Sequence, residues 1–179
     1  MQQLYKIHII GSVGSGKSTL GRILSNELHI PHYELDNIVW RRGPDGDIRN
    51  TPEQRDEQLH QIVQSDKWIV EGVHHEWVTS SFERADLIVF VDIPVWKRNI
   101  RILKRFIKQR LKIEKANYKP TLHMLMKMYK WNYQYECDHK PEIFTKLHRH
   151  NNKLKLVRQN DLNAIIEGEF YEQRAIKKL

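Results

Sequence analysis

Short apolar runs alternate along this chain with segments in which apolar residues recur every three or four positions. The runs are bounded by glycine, proline or charged residues, a pattern that predicts buried strands. They cover residues 4–10, 30–35, 68–70, 86–92 and 154–157. The periodic segments predict helices at 17–29, from Pro52 onward, through the stretch after Pro94, at 121–136 and at 161–168. Thr51 is expected to cap the second of these helices, and residues 42–47 are expected to form a loop.

This alternation predicts an α/β fold, a five-stranded parallel sheet with helices on both faces. Of the 179 residues, 40% are hydrophobic, which is enough for a buried core. Since no linker or repeat divides the chain, we expect a single domain over residues 1–179. In such a sheet, ligands bind at the carboxyl ends of the strands. The polar residues expected at those ends are a glycine-rich turn after the first strand, Asp36, Glu71, Asp92 and Arg158.

The formal net charge of +8 comes from one segment of the chain. Between Lys97 and Lys119 there are ten basic residues and one acid, a sum of +9, which leaves −1 for all other residues. Ile100, Leu103, Ile107 and Leu111 form an apolar stripe within this segment, so it is predicted to be an amphipathic helix. The positive charge is therefore local and does not describe the whole surface.

Several protein classes are disfavoured by the sequence. No apolar run approaches the roughly 20 residues that a membrane-spanning helix needs. The first residues lack the basic and apolar pattern of a signal peptide. The lone cysteine, Cys137, has no internal disulfide partner, and disulfides are typical of secreted chains. These observations favour a cytoplasmic protein without a membrane partner.

Residues 11–18 match the pattern G-x-x-x-x-G-K-[ST], which predicts a phosphate-binding loop. Glycines allow backbone angles that other residues disfavour, and the backbone N–H groups at the start of the next helix form an anion cradle. Lys17 can reach the β and γ phosphates, and Ser18 can bind Mg²⁺. The residues predicted to hold the nucleotide here are Gly11, Ser12, Gly14, Ser15, Gly16, Lys17, Ser18 and Thr19.

On these residues the chain resembles the small P-loop kinases, a branch of the P-loop NTPases, and in particular the bacterial DNA topology modulation proteins. The segments that carry the resemblance are 9–20, 35–40, 68–72, 85–94 and 98–105. The resemblance implies ATP and Mg²⁺, a monomer, and phosphoryl transfer to a small hydroxyl compound, nucleoside or nucleotide. It also implies a mobile helical lid at about residues 97–119, where Arg98, Arg101 and Arg105 would fold over the phosphates.

Asp36 follows the second predicted strand, at the position where shikimate- and gluconate-type kinases keep an acid. It can accept a proton from an attacking hydroxyl or hold Mg²⁺ through water, whereas the alternative is a simple helix cap. Glu71 stands where related kinases have the acid that orients the Mg²⁺ waters, usually the shorter Asp. Asp92 is an alternative metal-side acid, or a cap beside Pro94.

The basic segment has other interpretations. Its lysines and arginines can neutralise nucleic-acid phosphates, which gives an alternative hypothesis of a nucleotide-regulated nucleic-acid-binding protein. Lys108, Lys112 and Lys115 fit a solvated helix face equally well. Near the C-terminus, Arg158 is predicted to stack on the adenine of ATP.

The histidines form no recognisable zinc-binding pattern in the sequence. The candidate ligands are the run Cys137-Asp138-His139, the pair His74 and His75, and the pair His148 and His150. Their spacing does not match a zinc site, so we interpret the histidines as surface residues.

Overall fold

A five-stranded parallel sheet forms the centre of the molecule in the computed structural model, which describes residues 5–41, 43, 47–114 and 119–161. Its strands are β1 (Lys6–Gly11), β2 (His32–Glu34), β5 (Trp68–Gly72), β6 (Leu87–Val91) and β7 (Leu154–Val157). They lie in the order β2-β5-β1-β6-β7, and all four pairings are parallel. The predicted fold class is therefore confirmed, with β1 at the centre of the sheet.

Helices cover both faces of this sheet. They are α1 (Lys17–Leu28), α2 (Leu35–Val39), α3 (Pro52–Gln64), α4 (Thr79–Arg84), α5 (Val95–Arg110), α6 (Leu122–Gln134) and α7 (Lys140–Leu147). On one face Ile9 and Val89 pack with Leu20 of α1. On the other face Ile10 and Phe90 pack with residues of α3, α4 and α7. The central strands are fully buried because they have a helix layer on each side, which explains their unbroken apolar runs.

Local signals set several of the boundaries. Thr51 caps α3 through its hydroxyl, and Gln54 bonds back to the Thr51 backbone, so the predicted cap is confirmed. The sequence patterns did not reveal a small antiparallel hairpin, β3 (Trp40–Arg41) with β4 (Ile48–Arg49). Strands of two residues are too short to carry a periodic signal. Most of the helix predicted at 161–168 falls outside the described residues.

Helix α6 continues without a break into a five-residue π-helix (Tyr135–His139) and then into α7. The prediction of a helix at 121–136 therefore found the first part of a longer helical unit. A 3₁₀ segment (His148–Lys153) leads from α7 to β7. Among the described residues, no helix has both the length and the apolar character needed to cross a membrane.

Helix α5 begins directly after Pro94 as predicted but ends at Arg110, short of the predicted extent, and its apolar stripe does not pack on the domain. Ile100, Leu103, Ile107 and Leu111 are 41–64% exposed in the described structure. The helix instead packs through Ile102, which contacts Leu125 and Met128 of α6 and lies close to Gly14. The side of a helix that faces the core is decided by its neighbours, and here they contact a different side from the one that its hydrophobic pattern indicates.

Candidate active site

The glycine-rich turn connects the end of β1 to the start of α1. Gly14 has φ 74° and Gly16 has φ 97°, both in the left-handed region that glycine adopts readily. Gly16 is the N-cap residue of α1, and the first turn of that helix carries no acidic side chain. The positive end of the helix dipole is therefore left for an external anion, as a phosphate-binding loop requires.

Close packing gives a reason for glycine at Gly11 and a second reason for it at Gly14. A Cβ atom at Gly11 would lie 2.9 Å from Ser15 Oγ and 3.0 Å from the Val91 carbonyl oxygen. A Cβ atom at Gly14 would lie 2.9 Å from the Arg98 carbonyl oxygen. The phosphate loop is thus fixed between the end of β6 and the first turns of α5.

Glu71 contacts both Ser18 and Lys17, where the loop passes into α1. Glu71 is only 3% exposed. The Ser18 hydroxyl donates a hydrogen bond of 2.5 Å to Glu71 Oε1, and Lys17 Nζ lies 3.6 Å from Glu71 Oε2. The longer side chain of glutamate therefore reaches the loop hydroxyl without difficulty. A hydroxyl and a carboxylate are hard oxygen ligands of the kind that Mg²⁺ takes, so these two residues fit the ion.

Asp92 has a different partner. Its Oδ1 lies 2.8 Å from Lys140 Nζ, and the same lysine contacts Glu136 at 2.9 Å. Burial alone would lower the pKa of Lys140, but its hydrogen bonds with these two acids outweigh burial and raise that pKa above its ordinary value. Asp92 therefore joins α7 to the end of β6. The N-cap of α5 is Pro94, so Asp92 does not cap that helix.

Asp36 lies in the first turn of α2, and it does not serve as the cap of that helix. The N-cap residue is Glu34. The side chain of Asp36 is 62% exposed, and its Oδ1 is 3.5 Å from Nε2 of His74. A Cβ atom at Gly72 would lie 2.7 Å from Leu35, so the start of α2 packs directly on the end of β5. This contact brings Asp36 to the same edge of the sheet as Glu71.

An aromatic and basic wall lies beside Asp36, and the contacts within it were not indicated by the sequence. The ring of His74 packs on Trp77 with centroids 5.3 Å apart, and the Arg55 guanidinium lies 4.4 Å from the centroid of the Trp77 ring. These residues come from two separate segments, so no local motif marks them.

Arg101 is the arginine of α5 that contacts the phosphate loop. Its Nη1 donates to the carbonyl oxygens of Ser15 at 2.8 Å and Gly14 at 3.3 Å. Its Nη2 donates to Gln159 Oε1 at 3.0 Å, which ties the loop to the segment after β7. Burial lowers the pKa of this guanidinium from its ordinary value. Arg101 therefore lies at the loop, and its predicted role of folding over the phosphates stays a prediction.

The geometry does not agree with Arg98 as a phosphate ligand. This residue is 2% exposed, its Nη2 is paired with Glu136, and its guanidinium lies 5.5 Å from the centroid of the Tyr135 ring. Burial also raises the pKa of Tyr135, although the nearby guanidinium opposes that effect. The prediction for Arg98 is therefore corrected: its charge is used inside the protein, to hold α5 against the π-helix that follows α6.

The remaining predicted residues are placed as follows. Arg105 is half-buried, with Nη2 3.7 Å from the sulfur of Met128 and so directed toward α6. Arg158 is exposed just after β7, where its backbone N–H donates to Asp161 Oδ2 at 2.8 Å. Thr19 is half-buried in the first turn of α1. The roles predicted for these three residues toward ATP stay predictions, and the sequence did not indicate their side-chain contacts.

Side-chain hydrogen bonds connect the phosphate loop to α6 and α5. The Ser12 hydroxyl donates to Asn132 Oδ1 at 3.1 Å, and Asn132 Nδ2 donates to Asn99 Oδ1 at 2.6 Å. Asn132 is fully buried in α6. Its presence within an otherwise apolar and aromatic stretch was the available signal, because a buried amide needs polar partners.

Together, the sheet order and the phosphate loop define a small P-loop kinase-like nucleotide-binding protein. Residues 7–118, more than half of the chain, match the family described as AAA domain, and the chain belongs to that family. The uncharacterized protein YqaC of Bacillus subtilis (strain 168) is 36% identical over 88 residues, 49% of each chain. The match thus spans about half the length of YqaC.

Shikimate kinases are similar over a shorter stretch. Those of Pseudoalteromonas atlantica and Aquifex aeolicus are 43% and 49% identical over 42 and 37 residues. These stretches are 24% and 21% of this chain and 25% and 22% of those enzymes.

Solved structures extend the likeness of fold to nearly the whole chain. The shikimate kinase of Acinetobacter baumannii in complex with shikimate has a TM-score of 0.56 at 16% identity, covering 98% of this chain and 96% of that one. An unliganded sugar kinase from Janibacter sp. HTCC2649 has a TM-score of 0.50 at 15% identity, covering 94% and 93%.

Proposed function

We propose that this protein is an ATP-dependent phosphotransferase that uses Mg²⁺ to transfer the γ-phosphoryl group to a small acceptor. The acceptor is a hydroxyl-bearing compound, a nucleoside or a nucleotide. The observation that carries this proposal is the meeting of Lys17, Ser18 and Glu71 at the phosphate loop, with Asp36 on the same sheet edge. The matches to shikimate kinases over part of the chain support a hydroxyl acceptor.

In this proposal each part of the site has one role. The loop backbone from Gly11 to Gly16 and the start of α1 hold the phosphates, and Lys17 offsets their negative charge. Ser18 and Glu71 hold the Mg²⁺, which when bound neutralises phosphate charge. Thr19 and Arg158 complete the ATP site, with Arg158 against the adenine.

Transfer to a hydroxyl needs a proton acceptor, and Asp36 is suited to that role. Its exposed carboxylate takes the proton as the acceptor oxygen forms a bond to the γ-phosphorus and the bond to the ADP oxygen breaks. The neighbouring His74 orients the carboxylate through their 3.5 Å contact. Phosphoryl transfer otherwise depends on positioning and electrostatics, so few side chains are required.

Helix α5 supplies the mobile element of the same proposal. The part of α5 that follows Arg98, within the lid proposed at residues 97–119, would move toward bound ATP. Arg98 itself would stay in the interior. Arg101 stabilises the transferring group once it exchanges loop carbonyls for phosphate oxygens, and Arg105 does so after leaving Met128. The protein would act as a monomeric single domain of residues 1–179, in the cytoplasm.

Measurement of ADP formation tests the proposal. The protein is incubated with ATP, Mg²⁺ and a panel of sugars, hydroxy acids, nucleosides and nucleotides. One compound class should raise ADP formation well above the rate without acceptor. Tight ATP binding with every compound inert would argue against the enzyme.

Replacement of the base refines this experiment. Asp36→Asn should leave ATP affinity unchanged and lower transfer by about 100-fold or more, the scale of general-base catalysis. Asp66→Asn, an exposed aspartate before β5, is the matched control and should behave as the wild type. Undiminished turnover of Asp36→Asn would remove Asp36 from the mechanism.

A finer assignment and an alternative function also follow. We propose that the chain belongs among the DNA topology modulation proteins, on the basis of segments 35–40 and 68–72.

The alternative function, nucleotide-regulated binding of nucleic acid, is favoured by the exposed Lys104, Lys108 and Arg110 on α5. Duplex DNA affinity that falls steeply with salt concentration would support it, and undetectable binding at low salt would exclude it.

A further inference from the structure

A second group of metal-ligating side chains lies away from the phosphate loop. It consists of His75, in the segment after β5, His139, at the end of the π-helix, and Glu142, in the first turn of α7. One ligand atom from each of the three residues lies within 4.8 Å of the other two. That spacing is compatible with a single cation held between them, since such ligands bind Zn²⁺ at about 2.0–2.2 Å.

His75 is the least expected member of this group. Its side chain is 4% exposed, and Nε2 makes no hydrogen bond of normal geometry to any described residue. Its Nε2 lies 3.1 Å from Glu142 Oε2, and the His139 ring lies edge-on with centroids 5.3 Å apart. Buried polar atoms are almost always hydrogen-bonded, so a buried ring nitrogen without such a bond, directed toward a carboxylate and a second imidazole, indicates a ligand.

The local backbone explains how the three residues come together. The π-helix gives the chain a wider turn just before α7, and such turns occur frequently at functional sites. His139 and Glu142 are three residues apart, so they share one side of this helical unit. Lys146 Nζ holds Glu142 Oε1 at 2.9 Å, which leaves Oε2 facing His75.

We propose that His75, His139 and Glu142 form a binding site for a divalent transition-metal cation of the zinc class. Two imidazole nitrogens and one carboxylate oxygen are a donor set that Zn²⁺ takes in tetrahedral sites, with the fourth position left to water or another ligand. Mg²⁺ and Ca²⁺ prefer oxygen ligands alone, so this site differs chemically from the one at Ser18 and Glu71.

The bound cation would join the segment after β5 to α7. His75 directly follows His74, whose ring contacts Asp36. The cation would therefore fix a segment that borders the candidate acceptor side. This inference does not depend on the proposed kinase activity, because its tests measure metal binding and stability.

Zinc titration of the full chain tests the site. The protein is stripped of metal with a chelator and titrated with Zn²⁺ against a chromogenic chelator, with Mg²⁺ in excess. The wild type should bind one equivalent of Zn²⁺. His139→Ala and Glu142→Gln should each weaken binding by about 100-fold or more, because one of three ligands is lost. His139 and Glu142 are exposed, so both variants should fold, which circular dichroism checks.

Three control variants fix the location of the cation. His123→Ala removes an exposed histidine of α6, and Glu71→Gln alters the phosphate-loop site, so both should bind Zn²⁺ as the wild type does. Cys137→Ser should also leave the affinity unchanged. Loss of binding in any of these three variants, wild-type affinity of His139→Ala, or no stoichiometric binding would each overturn the proposal.

Thermal unfolding gives an independent result. Zn²⁺ binds only the folded arrangement of the three ligands, so saturating Zn²⁺ should raise the melting temperature of the wild type and leave that of His139→Ala unchanged. An equal shift in both proteins would contradict the assigned ligands. A simple ion pair between His75 and Glu142 would give no shift in either protein and would also overturn the proposal.

Discussion

The phosphate loop and helix α5 are in contact, but they use their residues in different ways. In the loop, the backbone forms the site, and the positive φ angles of Gly14 and Gly16 fix its path. In α5, arginines on one side of the helix have separate partners: Arg98 pairs with Glu136 in the interior, whereas Arg101 donates to loop carbonyls. A site built from backbone has one arrangement, whereas a charged side chain takes its role from the elements packed around it.

The largest expected effect lies in the loop. Lys17→Met should lower phosphoryl transfer by about 1000-fold, because it removes a charge placed at the transferring phosphate. Steady-state ADP formation measures this loss. Lys127→Met, an exposed lysine of α6, is the control and should retain full activity. A Lys17→Met variant with more than a tenth of wild-type activity would contradict the proposed role of Lys17 in phosphoryl transfer.

The second prediction concerns the buried arginine of α5. Arg98→Ala should lower the free energy of unfolding by about 2 kcal/mol, because it leaves Glu136 with Lys140 alone and removes the packing of a buried side chain. Urea unfolding measures the change. Arg110→Ala, at the exposed end of the same helix, should stay within about 0.5 kcal/mol of the wild type. Equal stabilities for the two variants would contradict the structural role of Arg98 and would favour its original assignment as a lid arginine.

The pH dependence sharpens this prediction. Burial would raise the pKa of Glu136, but its bonds to Lys140 and Arg98 outweigh burial and hold that pKa below the ordinary value of 4.5. The stability that this carboxylate contributes is therefore present above about pH 4.5 and lost as the pH falls through its lowered folded-state pKa. In Arg98→Ala the acid-induced loss of stability between these pH values should be smaller. If Arg98→Ala loses as much stability at low pH as the wild type does, the pairing of Arg98 with Glu136 would be contradicted.

The smallest effect is expected on the outer face of α5. Leu103→Ser should change the free energy of unfolding by no more than about 0.5 kcal/mol, since Leu103 is already 41% exposed. Ile102→Ala, the neighbouring buried position, is the contrast and should cost about 2–4 kcal/mol. Comparable losses for the two variants would show that the apolar stripe packs on the domain after all.

The sequence alone was sufficient for the sheet, the phosphate loop and the position of Glu71. Buried parallel strands carry unbroken apolar runs, and their carboxyl ends meet at one edge, so chain position alone predicts spatial neighbours there. The contacts of Arg98 were not predictable in this way, because a helix with charge on several sides has no preferred orientation until Glu136 and Tyr135 are placed. The group around His75 combines two distant segments, so no spacing rule could reveal it.

We propose that Glu71 and Ser18 hold Mg²⁺ beside a nucleotide on the phosphate loop, and ATP binding measured with and without Mg²⁺ tests this role directly. Calorimetric titration should show that Mg²⁺ tightens ATP binding to the wild type and that Glu71→Gln loses this gain while binding metal-free ATP at least as well. A Glu71→Gln variant with the same Mg²⁺-dependent gain as the wild type would contradict the claim.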